Sequence, residues 1–445
     1  MAINSRLLTE SGADQTDLSR TWFFRISSLA FISLTTPMLS VPIRGLVGFW
    51  LLIGVAVIAG LAENSFSIVS RRVRQGFAAN RLLVIFVLWY FVGLVLNLFT
   101  RGGGVDDWRL MLSPLVLLAA MGFAFGFCAE TISRRTFQVW FLLIAGVQAI
   151  IAIGELSSEA GIAREMWIET QGVWIYGNQS VYATLTLLLP VLIWRAISET
   201  KVLRLLLLAA VVLVFVEVAI SSFATPLGLL ILGIPFIIGM AIVFPVGRGR
   251  KVAMLVAIVM GVGGWVGYQL TYDSPFLTPA YSRLENVLLD PESGGYVGAT
   301  RESSRWYLAE ISLRSFEAEP LFGMGGGSTR YSEFVGGHSS FLDSLGSYGL
   351  LGGGGALVGV ILILLATAVR RFFKERSWET LLALTSVMLL VVGGIINPYW
   401  EGWQPAFVVI MIRMRSVGAL SASRTPAQNA ASPVSPIQHS RFTQP

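Results

Sequence analysis

The chain is organised around residues 299–352, which read ATRESSRWYLAEISLRSFEAEPLFGMGGGSTRYSEFVGGHSSFLDSLGSYGLLG. This is the most polar long stretch between apolar blocks, and it contains closely spaced arginines, a histidine and a run of glycines. The apolar blocks around it are roughly 18 to 22 residues long, enough to cross a hydrocarbon core of about 30 Å as helices. The sequence therefore predicts a membrane protein that carries this segment to one side of the bilayer.

The composition supports a membrane protein built from helices. Of 445 residues, 54% are hydrophobic and 13% are charged, whereas a soluble globular chain carries about 25% charged residues. The apolar blocks show no alternation at every second residue, so barrel strands are excluded and helices are expected. The basic residues behind the net charge of +6 are dispersed between these blocks, which argues against nucleic-acid binding. The single cysteine, Cys128, excludes an intramolecular disulfide.

The apolar blocks predict an all-α polytopic membrane protein with about 12 transmembrane helices. The predicted spans lie near residues 22–41, 45–62, 82–99, 110–128, 137–156, 174–195, 203–220, 226–246, 252–270, 341–369, 379–396 and 404–420. The tenth is Gly-rich at its start, which is typical of a re-entrant or interfacial beginning. The predicted regions are a cytoplasmic segment 1–21, a bundle of nine spans 22–270, a large periplasmic loop 271–340, three spans 341–420 and a disordered cytoplasmic tail 421–445.

The distribution of charge predicts the orientation of these spans. Lysine and arginine concentrate in cytoplasmic loops. Here they collect in every second loop: Arg71, Arg72 and Arg74; Arg134 and Arg135; Lys201 and Arg204; Arg248, Arg250 and Lys251; Arg370, Arg371, Lys374 and Arg376. The intervening loops are acidic or mixed. Both termini are therefore expected in the cytoplasm, and the loop 271–340 is expected outside.

Two basic groups in the outer segment have the chemistry of a phosphate site. Arg301 and Arg305 are four residues apart, so on a helix they share a face, and paired guanidiniums suit phosphate oxygens. His338 can accept a proton from a hydroxyl near neutral pH. The alternatives are a solvated or headgroup-facing basic patch for the arginines and an ordinary interfacial histidine. Arg283 adds to the same unexpected excess of arginine outside.

Other features of the segment carry less specific signals. Asp343 begins a span, where an acid is costly unless it is paired, and an arginine is the expected partner. The spacing of apolar residues predicts a helix over 303–316 that ends before Pro320. No histidine or cysteine cluster of the kind that binds zinc is present near His338, so no metal site is expected. The glycines at 352–355 are expected to serve close helix packing.

Four pieces of this segment follow one another in a familiar order: RWY at 305–307, PLFGMGGG at 320–327, HSSFL at 338–342 and YGLLG at 348–352. In these motifs and in topology the chain resembles the superfamily of O-antigen ligases and O-antigen polymerases, membrane glycosyltransferases that use undecaprenyl-diphosphate-linked glycans. A weaker match is GNQSVYA at 177–183, which contains Asn178. Ser339 replaces an asparagine frequent in the family, and SSFATP at 221–226 lacks the arginine that members carry there. The second phosphate-binding arginine is then expected to be Arg301, with Arg164, Arg109 and Arg101 as alternatives.

The resemblance implies transfer of a glycan from the lipid diphosphate to a sugar hydroxyl at the periplasmic face of the bacterial cytoplasmic membrane, with inversion and without metal or cofactor. Arg305 and a second arginine would stabilise the leaving diphosphate, and His338 would orient or deprotonate the acceptor. A polymerase acting on a lipid-linked acceptor is favoured over a ligase acting on lipid A core. A transporter or flippase shares the predicted topology but predicts an internal repeat, and a structural scaffold leaves Arg301, Arg305 and His338 without a joint role.

Overall fold

The computed structural model of the chain describes residues 66–101, 105–126, 131–156, 179–220, 224–244, 305–325, 335–336, 339–397, 399–400 and 404–411. These residues form twelve α-helices and no strand. The helices are α1 Phe66–Ala79, α2 Arg81–Arg101, α3 Val105–Gly126, α4 Thr131–Leu156, α5 Gln179–Ser198, α6 Lys201–Ile220, α7 Ala224–Val243, α8 Arg305–Ala318, α9 Ser340–Tyr348, α10 Gly354–Glu375, α11 Trp378–Ile396 and α12 Gln404–Met411.

Several of these helices are suited to a bilayer by length and composition. Within the described ranges, four are long and apolar enough to cross a membrane: Arg81–Thr100 of α2, Phe137–Gly154 of α4, and the whole of α10 and α11. Shorter apolar stretches lie in α3, α5 and α7. The protein is therefore a helical membrane protein. The predicted spans near 22–41, 45–62 and 252–270 lie outside the described residues, so the total of about 12 and the loop placement stay predictions.

The surface of α2 illustrates the bilayer-facing side. Its inward row, which includes Val87 and Tyr90, is buried, whereas Leu96 is 58% and Phe99 is 74% exposed on the opposite side. Large exposed apolar surface of this kind requires a nonpolar partner, and a lipid phase supplies it for a helix of this length. At the centre of the bundle, α5 packs against α4, α6, α7, α11 and α12.

The predicted tenth span, 341–369, is wrong as a single element. It divides into the nine-residue helix α9 and the 22-residue helix α10, separated by the turn 349–353. Gly349 and Gly353 have φ values of +63° and +125° in this turn. Glycine adopts such a conformation without the steric cost that a Cβ would bring. The beginning of this apolar block is thus a short helix of its own, and its glycine-rich part is the turn that separates the two helices.

A second difference concerns the basic segment that contains Arg71 and Arg74, which was expected as a loop. It is α1, an amphipathic helix packed on α3. Val69 and Val73 lie against Gly126, while Arg71 and Arg74 point to the exposed side. Burial of this apolar face against α3 makes the segment helical, because amphipathic packing supplies most of the stability of a short helix.

An ionic cluster joins α4 and α5 at the end of the bundle where basic loops are predicted. The buried carboxylate of Glu199 accepts hydrogen bonds from Arg135 Nε at 2.6 Å and Nη2 at 2.5 Å, and Arg195 Nη1 lies 3.7 Å away. The hydrogen bond from Arg135 holds the pKa of Glu199 below its ordinary value. A carboxylate stabilised in its charged form by paired arginines is a strong interaction, so the cluster ties these helix ends together.

Candidate functional site

The candidate site is built on the packing of α8 against α9. Helix α8 begins at Arg305 and ends at Ala318, close to the predicted 303–316, and Pro320 follows in the turn after it. Ser312 is fully buried on the side of α8 that faces α9. A Cβ added to Gly346 would lie 2.7 Å from the carbonyl oxygen of Ser312, so the glycine allows the two backbones to approach closely.

Asp343 is the centre of a buried polar cluster, which we call the Asp343 clasp and which comprises Ser312, Gly336, Ser339 and Asp343. The Ser312 hydroxyl donates to Asp343 Oδ1 at 2.5 Å, and the backbone N–H of Ser339 donates to Oδ2 at 2.8 Å. The backbone N–H of Gly336 donates to Ser312 Oγ at 2.9 Å. One carboxylate, directly and through Ser312, therefore fixes the chain on both sides of residues 337–338.

The two serines that follow residue 338 hold the start of α9. Ser339 is the N-cap, and its hydroxyl accepts a hydrogen bond from the backbone N–H of Leu342. Ser340 Oγ accepts from the backbone N–H of Trp400 at 2.9 Å and donates to the carbonyl of Asn397 at 3.3 Å. Serine is among the preferred N-cap residues, so Ser339 has a structural role at the position where the resembled family frequently has asparagine.

Asn397 extends this network to α7, a link that sequence reasoning missed. Its side-chain amide donates to Thr225 Oγ1 at 2.7 Å, and both side chains are buried. Thr225 lies in the SSFATP segment at 221–226. The only sequence signal for this contact was a polar residue directly after the apolar block 379–396, and it did not name a partner.

The glycine-rich turn and the end of α9 form one backbone junction, which we call the glycine joint. It contains residues 320–325 and 346–351, held by hydrogen bonds from Met324 N to Gly346 O at 2.9 Å, Gly325 N to Ser347 O at 3.1 Å, Leu350 N to Pro320 O at 2.9 Å and Leu351 N to Leu321 O at 2.8 Å. Gly323 has φ +69°, and a Cβ there would overlap the backbone of Ser347. A Cβ on Gly349 would lie 2.5 Å from Gly323 N. Two motifs 26 residues apart therefore interlock through backbone atoms.

Helix α2 supports the glycine joint from the bundle. Trp89 Nε1 donates to the carbonyl of Leu351 at 3.1 Å, and Asn97 Nδ2 donates to that of Phe322 at 3.4 Å. A Cβ on Gly93 would lie 2.6 Å from the carbonyl carbon of Gly352. The expectation that the glycines at 352–355 serve close packing is confirmed for Gly352 and Gly353, whose backbone α2 contacts directly.

The structure describes only some of the site residues that the sequence predicts. Arg164, Asn178, Arg283, Arg301 and His338 lie outside the described residues. Arg305 begins α8, and its side chain, like those of Arg101 and Arg109, is outside the description. The separation of Arg305 and His338 therefore stays a prediction, as does an arginine partner for Asp343.

The structure does bring three of the four motif pieces together next to α8, the helix that begins at Arg305. These pieces are the turn at 320–325, the start of α9 at 339–342 and the turn at 348–352. Among the described residues, no group of three or more histidine, cysteine, aspartate or glutamate side chains could hold a metal ion.

No protein-family model matches this chain, and a search of curated proteins likewise finds no match. The resemblance to glycosyltransferases thus depends on the residues of the quoted motifs.

Proposed function

We propose that the protein is a glycosyltransferase of the bacterial cytoplasmic membrane. It transfers a glycan from undecaprenyl diphosphate to a sugar hydroxyl at the periplasmic face, as a polymerase of O-antigen or exopolysaccharide. The observation that carries the proposal is the Asp343 clasp, which holds the backbone on both sides of residue 338 against α8, the helix that starts at Arg305. Such support is what a catalytic side chain needs, because reacting groups must be held in a defined geometry.

The chemistry assigns a role to each residue type. The acceptor oxygen forms a bond to the anomeric carbon while the bond from that carbon to the diphosphate oxygen breaks, so one displacement inverts the configuration. Arg305 and Arg301 donate hydrogen bonds to the diphosphate as its negative charge grows. His338 accepts the proton of the attacking hydroxyl. Asp343 positions the segment that carries His338 through Ser339 and Ser312.

The glycine joint supports the same reading of the segment. It ties the PLFGMG turn to the backbone at the end of α9, so the turn and the clasp belong to one continuous unit. A transporter predicts an internal repeat, and the sequence shows no clear repeat. The acceptor is what separates a polymerase from a ligase.

The test is transfer from a lipid-linked glycan donor in membranes that contain Arg305→Ala, His338→Ala or Arg314→Ala protein. Arg314 is the matched control, because it lies on the same helix, is 70% exposed and pairs only with Glu310 among the described ion pairs. Loss of a group that stabilises transition-state charge costs roughly 100- to 1000-fold, so the first two variants should lose activity and the third should keep it. Full activity of Arg305→Ala and His338→Ala at normal expression would remove this mechanism.

The glycans of a deletion strain identify the acceptor. A polymerase predicts loss of long chains with a single repeat retained, and a ligase predicts accumulation of lipid-linked polymer. Unchanged glycans would contradict both functions.

A further inference from the structure

A glutamate lies inside the apolar bundle, away from the candidate site. Glu217 is in α6, within an otherwise uncharged run from Leu205 to Ile220. Its side chain and that of Gln148 on α4 are both fully buried, and Gln148 Nε2 donates to Glu217 Oε1 at 2.7 Å. Acidic residues inside membrane helices are rare and costly, and they usually have a partner or a function. We call these two residues the Glu217 pair.

When Glu217 carries a negative charge, the Glu217 pair has more buried hydrogen-bond acceptors than donors. With the carboxylate ionised, Glu217 Oε2 and Gln148 Oε1 are two buried acceptors that lack a donor among the described residues. Leaving a buried acceptor without a donor is costly, and burying an isolated charge costs far more. A proton on Oε2 removes the negative charge and turns this oxygen into a donor. Gln148 Oε1, on the residue that Glu217 already contacts, is a buried acceptor that lacks a donor among the described residues.

The described charged side chains on the neighbouring helices lie toward the end of the bundle that contains Arg135 and Lys201. Helix α6 packs against α4, α5 and α7, and α7 has no titratable residue. Arg135 on α4 and Lys201 and Arg204 on α6 are separated from Gln148 and Glu217 by 13 or more residues, about 20 Å along a helix. Arg195 on α5 is engaged by Glu199 and Gln138.

The remaining titratable groups that face this region do not supply a described counter-charge. Tyr182 on α5 is buried and is neutral at physiological pH. Arg134 and Glu155 of α4 have side chains outside the described residues. The described surroundings of Glu217 therefore favour its uncharged form.

We propose that Glu217 is a proton-binding site within the membrane. As a neutral carboxylic acid it accepts one hydrogen bond from Gln148 and donates another to Gln148 Oε1, and these two hydrogen bonds hold α4 against α6. The ligand is the proton. Loss of this proton places a negative charge in the interface between α4 and α6 and weakens the packing of the two helices. The Glu217 pair is therefore sensitive to pH. The proposal does not depend on the glycosyltransferase function.

Infrared spectroscopy of the full-length protein in lipid bilayers tests the protonation state directly. At about pH 7, carboxyl groups with ordinary pKa values near 4 are ionised, so a carbonyl band of a protonated carboxylic acid reports a buried one. The band should be present in the wild type, lose intensity in Glu217→Gln and stay unchanged in Glu199→Gln, whose wild-type carboxylate is paired with arginine. Absence of the band in the wild type, or equal intensity in the wild type and Glu217→Gln, would overturn the proposal.

A stability measurement tests the linkage to pH. The side chain of the Glu217→Gln variant is neutral at every pH and has the same shape as that of glutamate. In the wild type, the folded protein retains the proton on Glu217, whereas the unfolded protein releases it. The wild-type folding constant should therefore fall relative to that of Glu217→Gln as the pH rises between about 6 and 8, by up to about tenfold per pH unit. A ratio that does not change with pH contradicts the proposal.

Gln148→Leu keeps the test decisive if Glu217→Gln does not fold. The acid stays protonated in this variant but its carbonyl loses the amide donor, so the protonated band should move to higher frequency. A band that does not move would not belong to Glu217, and the proposal would fail.

Discussion

Replacement of Gly93 by alanine tests how α2 meets the glycine joint. Gly93 is buried in the middle of α2, and an alanine Cβ there would lie 2.6 Å from both the carbonyl carbon and the oxygen of Gly352, and 2.7 Å from Gly353 N. Ordinary contacts of a Cβ are 3.4–4 Å long. Because the obstacles are backbone atoms, no side chain can rotate away, and α2 must separate from the turn.

The expected loss of stability follows from three contributions. Alanine gains about 1 kcal/mol over glycine from helix propensity. Overpacking of a close contact costs about 1–3 kcal/mol. Separation also weakens the hydrogen bonds from Trp89 to Leu351 and from Asn97 to Phe322, each worth about 1 kcal/mol. The net destabilisation should be roughly 2–4 kcal/mol.

Gly239→Ala is the matched control. Gly239 also lies inside an apolar helix, α7, but its Cβ would have no neighbour within 4 Å. Only the propensity gain applies there, so this variant should be as stable as the wild type or more stable by up to about 1 kcal/mol. Reversible unfolding in mixed detergent micelles, followed by tryptophan fluorescence, gives both values. Equal stability of the two variants would refute the close packing of α2 on the turn 349–353.

Other contacts give further expectations. Asp343→Ala leaves the buried Ser339 N–H without its carboxylate acceptor and leaves the Ser312 hydroxyl only a 3.4 Å contact to the Leu308 carbonyl, so it should destabilise by roughly 2–3 kcal/mol and abolish transfer. Asp343→Asn should lose less stability, and equal losses in unfolding assays would contradict the Asp343 clasp. Gly323→Ala should displace the turn at 320–325, which limited proteolysis would detect as faster cleavage than in the wild type. Glu199→Gln should remove a stabilisation that wild type has at neutral pH and loses progressively as the pH falls below about 4.5 and through the lowered folded-state pKa of Glu199. Unfolding at a series of decreasing pH values measures it, and an advantage of the wild type that does not shrink below about pH 4.5 would contradict it.

The class of protein and most of the described spans could be predicted because apolar length is a local property. The blocks predicted for α2 to α7 and for α11 overlap the helices, and their ends differ by at most about six residues. Helix α8 could be predicted for the same reason, since its apolar spacing and Pro320 are both local. The basic segment at α1 was misassigned because its run of arginines outweighed the helical spacing of Val69 and Val73.

The break between α9 and α10 could not be predicted from apolar length alone. A continuous helix and a helix interrupted at Gly349 have the same composition. What decides between them is the pairing of the turn with Pro320 and Leu321 and its contact with α2, and these partners are distant in the sequence.

Asp343 is the predicted site residue whose side-chain contacts the structure describes. Asp343 could be singled out because an acid at the start of an apolar block is unusual. Its partner Ser312, 31 residues away, and the pair of Asn397 with Thr225, 172 residues apart, carry no such mark. Serine and threonine are common on helices in many roles, so only the fold identifies these as partners. Glu217 is likewise an acidic residue in an apolar block, but it lies inside the predicted span 203–220 and was not singled out.

The backbone character of the glycine joint has a consequence for genetics. At Gly76, an added methyl group would overlap the side chain of Phe125, so a smaller residue at 125 can make room and act as a second-site suppressor. At Gly323 the obstructing atoms belong to the main chain of Ser347 and Tyr348, which every amino acid shares. Truncating a neighbour therefore cannot restore the fit, and we expect revertants at this position to recover glycine itself.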